Sequence, residues 1–218
     1  MNAPLDTWGG QLDRGLEKMG LALEPDQCRL LLDYLALLLK WNRAFNLTAI
    51  RDPNEMVSRQ LLDSLSILPL LRGSRILDVG TGPGLPGIPL AVARPECRFT
   101  LLDSNGKKTR FVQQSITQLG LENVQVERTR VEAYASESGF DTITSRAFAA
   151  LPKILDLTRH LLAPGGQLLA RKGTVLSGEI AELEAAGYRV RVQPLQVPGR
   201  AAERPSPLVE SGDPPRPR

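Results

Sequence analysis

The chain has 218 residues, a formal net charge of +3 and a composition that is 42% hydrophobic but only 5% aromatic. This length suits one α/β domain with an added segment. The sequence lacks an apolar run of about 18 residues and a basic-then-apolar leader, so we expect a cytoplasmic protein without a membrane span. Cys28 and Cys97 lie far apart, which predicts neither a disulfide framework nor a metal site. The mild positive charge permits a nucleic-acid partner without requiring one.

The first 70 residues predict a helical extension. Apolar residues share one face of a first helix, Trp8 to Met19, and a second helix begins near Glu24-Pro25-Asp26, with proline in its first turn. A third helix is expected from about Pro53 to Leu65. The second helix has a broad apolar face, so we expect it to pack against the domain that follows.

From residue 75 onward, short apolar runs alternate with helical patterns. Strands are predicted at 76–79, 98–102, 124–126, 141–144, 167–171 and 188–193, and helices at 85–93, 107–119, 150–162 and 176–186. This alternation predicts right-handed βαβ units and a mostly parallel sheet, whose ligands bind beyond the carboxyl ends of the strands. We therefore divide the chain into an extension (1–70), an α/β domain (71–199) and a tail (200–218).

A glycine-rich stretch, Asp-Val-Gly-Thr-Gly-Pro-Gly-Leu-Pro-Gly, starts at Asp78 and follows the first predicted strand. Strand, glycine turn and helix are typical of nucleotide sites, because glycines let a ligand approach the main chain and the helix start presents N–H groups. A carboxylate at Asp78 would repel a pyrophosphate but suits a sulfonium. The stretch therefore favours S-adenosyl-L-methionine, bound by Asp78, Gly80, Gly82 and Gly84. The spacing of Gly82, Gly84 and Gly87 also matches the dinucleotide pattern, so an NAD-type oxidoreductase and a purely structural turn are the alternatives.

Asp103 ends the second predicted strand, about 20 residues beyond the glycines, where a carboxylate commonly accepts hydrogen bonds from ribose hydroxyls. A helix starts near Lys107, so an N-cap role for Asp103 is the alternative, and the two roles are compatible. The basic cluster of Lys107, Lys108 and Arg110 is interpreted as a solvated helix face.

Several separated motifs point to one family. They are Trp41-Asn42 to Asn46-Leu47-Thr48, Leu61-Leu62-Asp63-Ser64-Leu65, the glycine-rich stretch, Ser145-Arg146-Ala147, and Leu162-x-Pro-Gly-Gly with Lys172-Gly173. Over residues 5 to 198 the chain resembles the bacterial small-subunit ribosomal RNA methyltransferase G family, also called glucose-inhibited division protein B. The resemblance implies a class I S-adenosylmethionine-dependent methyltransferase fold and methylation of a guanine N7 in 16S rRNA. It also implies that Gly80, Leu85, Val131, Glu132 and Arg146 contact the cofactor.

The residues after the fourth and fifth predicted strands fit this chemistry. Guanine N7 carries a neutral lone pair, so its methylation requires no general base. Arg146 is the predicted orienting residue of the catalytic site, and a structural ion pair with Glu132 or Asp141 is the alternative. Arg171 and Lys172 are predicted to bind RNA phosphates, although plain solvated charges fit equally well. The expected partner is 16S rRNA or the 30S subunit, with a monomer favoured and no metal.

Two features depart from the family pattern. Gln60 stands where the family usually has histidine, which leaves His160 as the only histidine of the chain. The tail at 200–218 is rich in proline and arginine, with only Leu208-Val209 apolar together, which predicts a disordered segment rather than the expected last strand. This tail gives some weight to a non-catalytic ribosome-binding protein that retains the fold.

Overall fold

The computed structural model describes residues 3–146, 149–171, 177–199 and 204–210. Within these residues seven strands form one sheet: β1 (Arg75–Val79), β2 (Arg98–Leu102), β3 (Val124–Glu127), β4 (Phe140–Arg146), β5 (Leu162–Arg171), β6 (Arg189–Leu195) and β7 (Arg204–Glu210). The strands lie in the order β3-β2-β1-β4-β5-β7-β6. The first five are mutually parallel, and β7 runs antiparallel to both of its neighbours. The predicted α/β architecture with a mostly parallel sheet is confirmed.

Helices cover the sheet and build the extension: α1 (Ala3–Met19), α2 (Pro25–Phe45), α3 (Pro53–Met56), α4 (Asp63–Leu65), α5 (Gly87–Ala93), α6 (Gly106–Leu119), α7 (Leu151–Thr158) and α8 (Ser177–Ala185). A π-helical segment, Val57–Leu62, joins α3 to α4, so one continuous helical stretch occupies the predicted helix at 53–65. Among the described residues, no helix combines the length and the apolar character that crossing a bilayer requires.

The helical extension packs directly on the α/β domain. Helix α2 buries the face that contains Leu31, Tyr34, Leu35 and Leu38, and this face shares a hydrophobic core with Phe111 of α6. The extension and the sheet domain therefore have a common core, and residue 70 as a domain boundary stays a prediction.

Two hydrogen bonds fix the direction of α2 along the sheet. Gln27 Nε2 donates to the carbonyl of Val92, near the end of α5, at 2.9 Å. Seven residues later, the Tyr34 hydroxyl donates to the carbonyl of Pro83, in the glycine-rich turn, at 2.8 Å. Helix α2 therefore runs from the amino edge of the sheet towards its carboxyl edge, where Tyr34 holds the glycine-rich turn by a hydrogen bond.

At the amino edge of the sheet, Asp141 at the start of β4 binds the residues that lead into β1. Its Oδ2 accepts hydrogen bonds from the backbone N–H groups of Ser74 and Arg75, both at 2.9 Å, and Arg75 Nη2 lies 3.2 Å from its Oδ1. Burial raises the pKa of this carboxyl, but the hydrogen bonds from Arg75 and Ser74 outweigh burial, so the pKa of Asp141 is lowered. This contact joins β4 to the segment that leads into β1.

The prediction that the tail forms no strand is wrong for Arg204–Glu210. Only 208–210 pair with β5, and Val209 is fully buried in the sheet core. Pro205 and Pro207 pair with β6 alone, beyond the end of the β5 ladder, so their missing N–H groups interrupt no hydrogen bonds to β5. The remaining tail positions, 200–203 and 211–218, lie outside the described residues.

Candidate functional site

A cavity of about 320 Å³ lies beyond the carboxyl ends of β1 and β2. Its lining consists of Val79, Gly80, Leu102, Asp103, Ser104, Thr129, Arg130, Val131, Glu132 and Leu157. The structure therefore brings together four predicted cofactor residues that lie on three separate segments: Gly80, Asp103, Val131 and Glu132. The edge between strand ends and helix starts is where ligands of parallel sheets bind.

Asp103 connects two loops of this cavity. Its Oδ2 accepts the N–H of Gly82 at 2.9 Å, and its Oδ1 accepts the N–H of Asn105 at 2.8 Å. The cap of α6 is Asn105, whose Oδ1 accepts the N–H groups of Lys107 and Lys108, so the N-cap alternative for Asp103 is wrong. A carboxylate offers about four acceptor positions, which leaves capacity on Asp103 for ligand hydroxyls.

Asp78 does not line the cavity, contrary to the predicted direct contact. Its side chain is buried behind the turn, where Oδ2 accepts the Thr81 hydroxyl at 2.7 Å and the Gly87 N–H at 2.9 Å, and Oδ1 accepts the Thr144 hydroxyl at 3.2 Å. Burial raises the pKa of this carboxyl, and these hydrogen bonds together with the nearby Arg146 charge oppose the rise. Asp78 therefore orders the turn rather than presenting a carboxylate to a ligand.

The glycine-rich turn is sterically closed on its inner side. Gly84 has φ of 96°, and a Cβ there would lie 2.5 Å from Ile88 Cδ1. A Cβ on Gly87 would lie 1.8 Å from Leu101 Cδ2. Leu85, a predicted cofactor contact, is 1% exposed and belongs to the hydrophobic core. The inner side of the turn therefore faces protein.

Tyr34 supports the same turn through its bond to Pro83. Its side chain is fully buried, and this burial raises the pKa of the phenol far above its usual range. The hydroxyl therefore stays protonated and remains a hydrogen-bond donor under the turn.

Arg146 ends β4 and reaches the glycine turn. A Cβ on Gly82 would lie 3.4 Å from Arg146 Nη2, so the guanidinium lies against this glycine. Within the described part of the chain, neither Glu132 nor Asp141 forms an ion pair with Arg146. The alternative of pairing with Asp141 is wrong because that carboxylate binds Arg75. Arg146 is partly exposed, and its charge lies near buried Asp78.

Arg171 does not have the solvated position expected of an RNA contact. It ends β5 beside Arg146 in the strand register, and its Nη2 forms an ion pair with Asp63 Oδ2. Both side chains are only 5% exposed, and Arg171 Nε and Nη1 find no acceptor among the described residues. The predicted RNA contact of Arg171 is therefore corrected to a buried link between the extension and the sheet. Lys172 lies outside the described residues.

Several further residues at the carboxyl edge of the sheet belong to no motif that would predict their role. Thr81 and Thr144 bind Asp78, while Ser104, Thr129 and Leu157 line the cavity. Asn105 was detectable, since asparagine before a helix start is a strong capping signal. Across the described residues, no group of three His, Cys, Asp or Glu side chains is arranged to hold a metal ion.

Gln60 occupies a buried position in the π-helical segment. Its Nε2 donates to the Thr48 hydroxyl at 3.0 Å, and its Oε1 has no partner among the described residues. His160 is exposed, and its ring lies 3.1 Å from the carbonyl oxygen of Tyr134, outside the set of residues that line the cavity.

Two solved structures illustrate the similarity of the fold. A SAM-dependent O-methyltransferase from Thermotoga maritima aligns with a TM-score of 0.55 at 19% identity, covering 72% of this chain and 69% of that chain. A SAM dependent methyltransferase from Aquifex aeolicus aligns with a TM-score of 0.54 at 21% identity, covering 73% of this chain and 93% of that chain. At these identities the similarity concerns the fold, which is the class I Rossmann-like fold.

Sequence relatives are considerably closer. "Ribosomal RNA small subunit methyltransferase G" of Chromobacterium violaceum is 53% identical over 89% of this chain and 93% of its own length. The protein of the same name from Pseudomonas aeruginosa is 51% identical over 94% of this chain and 96% of its own length. The family model for GidB, described as rRNA small subunit methyltransferase G, matches residues 27–206. This chain therefore belongs to the rRNA small subunit methyltransferase G family.

Proposed function

We propose that this chain transfers the methyl group of S-adenosyl-L-methionine to N7 of a guanine in 16S ribosomal RNA. The observation that carries the proposal is the family match over residues 27–206, together with relatives about half identical over nine tenths of the chain. The family methylates small-subunit rRNA, and guanine N7 as the acceptor is inferred from the resemblance of the motifs. The NAD-type oxidoreductase has no support from these matches.

The cavity beside Gly80 suits S-adenosyl-L-methionine. Asp103 has acceptor capacity for ribose hydroxyls, and half-buried Leu157, beside the more deeply buried Leu102 and Val131, gives the cavity an apolar wall for an adenine ring. Two carboxylates, Asp103 and Glu132, and one cation, Arg130, are among the lining residues, and this net negative charge favours a cofactor with a positive charge. When bound, this cofactor supplies an electrophilic methyl group on a sulfonium.

The protein's own contribution is positioning. A neutral N7 lone pair attacks without prior deprotonation, so no residue of the site has to remove a proton. Arg146 lies beside Gly82 and forms no ion pair with Glu132 or Asp141 among the described residues, so its planar fork can bind an acceptor of the RNA. Asp78, Thr81 and Tyr34 hold the turn in place before any ligand arrives, which reduces the entropy lost on reaching a reactive geometry.

The test is radiolabelled methyl transfer to 30S subunits and to naked 16S rRNA, followed by mass mapping of the modified base. We expect incorporation of one methyl group at a guanine, detected as N7-methylguanine. Label in another base, or in an exocyclic amine, contradicts the proposed chemistry. Arg146→Ala should lower transfer by about 100-fold while the melting temperature barely changes, and Arg146→Lys should recover part of the activity.

The non-catalytic alternative rested on the predicted loss of the last strand. Since β7 lies between β5 and β6, that argument no longer applies. The same experiment separates the two cases, because a non-catalytic protein would bind subunits without transferring label. The proposal places the protein in the cytoplasm, where 16S rRNA and the 30S subunit are the candidate substrates.

A further inference from the structure

A second cavity, of about 290 Å³, lies between α1 and the 54–62 stretch. We call it the α1 groove. Its floor and walls come from α1, the 53–62 stretch and the loop at Pro198–Gly199. The polar side chains that line it are Gln11, Arg14, Lys18, Asn54, Ser58 and Arg59, with Glu55.

The charge of the α1 groove is predominantly positive. Arg14 and Lys18 are exposed and lie four residues apart, on the same face of α1. Neither forms an ion pair with a residue whose side chain the structure describes. The one carboxylate of the lining, Glu55, lies 2.7 Å from Arg59 Nη1 and is thereby neutralised. Among the described side chains, Arg14 and Lys18 therefore have no carboxylate in an ion pair, and Arg59 Nε is buried without an acceptor.

The α1 groove is connected to the candidate transfer site through one helical stretch. A Cβ on Gly15 would lie 2.3 Å from Leu62 Cδ1, so α1 packs tightly against the π-helical segment. The next residue, Asp63, forms the ion pair with Arg171, and Arg171 is paired in the strand register with Arg146. The short stretch Leu62–Asp63 therefore contacts both α1 and the β5 residue that neighbours Arg146.

We propose that the α1 groove binds the phosphodiester backbone of the substrate RNA. This inference rests on the proposed function. Arginine, lysine and the side-chain amides of Gln11 and Asn54 are donors that proteins use for phosphate oxygens. Of the apolar lining residues, Val57 and Leu62 are at most 2% exposed and Pro198 is half-buried, so no apolar side chain of the described lining is fully exposed.

The test compares two double variants that each remove two positive charges. Arg14→Gln with Lys18→Gln alters the α1 groove. Arg29→Gln with Arg98→Gln removes two exposed cations that do not line it. Binding of wild type and both variants to 16S rRNA and to 30S subunits is measured over a range of salt concentrations. Methyl transfer is measured in parallel at varied subunit concentration, and S-adenosyl-L-methionine affinity is measured by calorimetry.

We expect the groove variant to bind RNA at least tenfold more weakly at about 0.1 M salt. Its plot of log affinity against log salt should be shallower by about 1.4–1.8, as the loss of two phosphate contacts predicts. The KM for subunits should rise at least tenfold, while kcat, cofactor affinity and melting temperature stay as in wild type. The control variant should bind RNA within about twofold of wild type.

Equal RNA binding by the two double variants overturns the groove assignment, even if wild type methylates rRNA normally. Loss of cofactor affinity in the groove variant would also overturn it, because the effect would then reach the transfer site through the fold. Wild-type protein that binds RNA without transferring label contradicts the proposed function instead, and the binding comparison still decides the role of the groove.

Discussion

The two edges of the sheet each use an aspartate to hold a loop, but in opposite electrostatic settings. At the carboxyl edge, buried Asp78 accepts hydrogen bonds from two hydroxyls and the Gly87 N–H. At the amino edge, partly exposed Asp141 binds the backbone of Ser74 and both the backbone and guanidinium of Arg75. Burial raises the pKa of Asp78, whereas the bonds from Arg75 and Ser74 lower the pKa of Asp141.

The two aspartates therefore have different roles: Asp141 stabilises the folded state, whereas Asp78 orders the turn beside the candidate site. The charge of Asp141 favours the folded state, because its partners prefer the ionised form. The charge of Asp78 is costly to bury, and what the protein gains from it is an ordered glycine turn. The carboxyl edge also contains the buried Asp63–Arg171 pair, so both of its buried carboxylates hold elements around the candidate site.

The largest expected effect comes from breaking the ion pair of the carboxyl edge. Arg171→Ala leaves Asp63 buried without this partner and should lower the free energy of unfolding by about 3–5 kcal/mol. Arg75→Ala removes a partly exposed pair at the amino edge and should cost about 1 kcal/mol or less. Urea unfolding measures both.

A double variant, Asp63→Leu with Arg171→Met, provides the control for this effect. It removes both charges and should recover much of the lost stability. If Arg171→Ala and Arg75→Ala lower the free energy of unfolding by similar amounts, the ion pairs of the two edges contribute equally to stability and the comparison is wrong.

The aspartates themselves give the next largest effect. Asp78→Ala leaves three buried donors without their acceptor and should cost about 3 kcal/mol, with S-adenosyl-L-methionine affinity falling at least 100-fold as the turn loses its order. Asp141→Ala should cost about 1–2 kcal/mol with cofactor affinity within about twofold of wild type. Calorimetry on samples that remain folded measures the affinities. Normal cofactor binding by Asp78→Ala would refute the ordering role of this carboxylate.

The smallest effect is the pH dependence, of order 1 kcal/mol, and its sign differs between the two edges. A raised folded-state pKa means that ionisation of Asp78 opposes folding, so the stability advantage of wild type over Asp78→Asn should shrink as pH rises from about 4. A lowered pKa means that the advantage over Asp141→Asn is complete above about pH 4 and disappears as pH falls further. Unfolding curves between pH 3 and 7 measure both slopes, and slopes of the same sign would contradict the comparison.

Sequence patterns predicted the parallel core of the fold well, because strands buried on both faces read as apolar runs followed by turn residues. They failed at β7, where prolines and arginines dominate the composition and only Leu208-Val209 is apolar. That strand has a short ladder to β5, with Val209 buried, and accommodates prolines where it pairs with β6 alone.

The candidate site was predictable where local position alone determines geometry. Gly80, Asp103, Val131 and Glu132 follow strand ends, and parallel strands bring such positions to one edge. The environment of Asp78 and Arg171 was not predictable, because their partners, such as Thr144 and Asp63, come from distant parts of the chain. A strand-end charge in a sequence does not reveal whether another element covers it.

The most direct test of the central claim is a crystal structure of the protein with S-adenosyl-L-methionine. The account predicts the nucleoside in the cavity between Gly80 and Val131, with its ribose hydroxyls on Asp103 and with Asp78 still bound to Thr81 and Gly87. A nucleoside found in the α1 groove, or a cavity that stays empty at saturating cofactor, would contradict it.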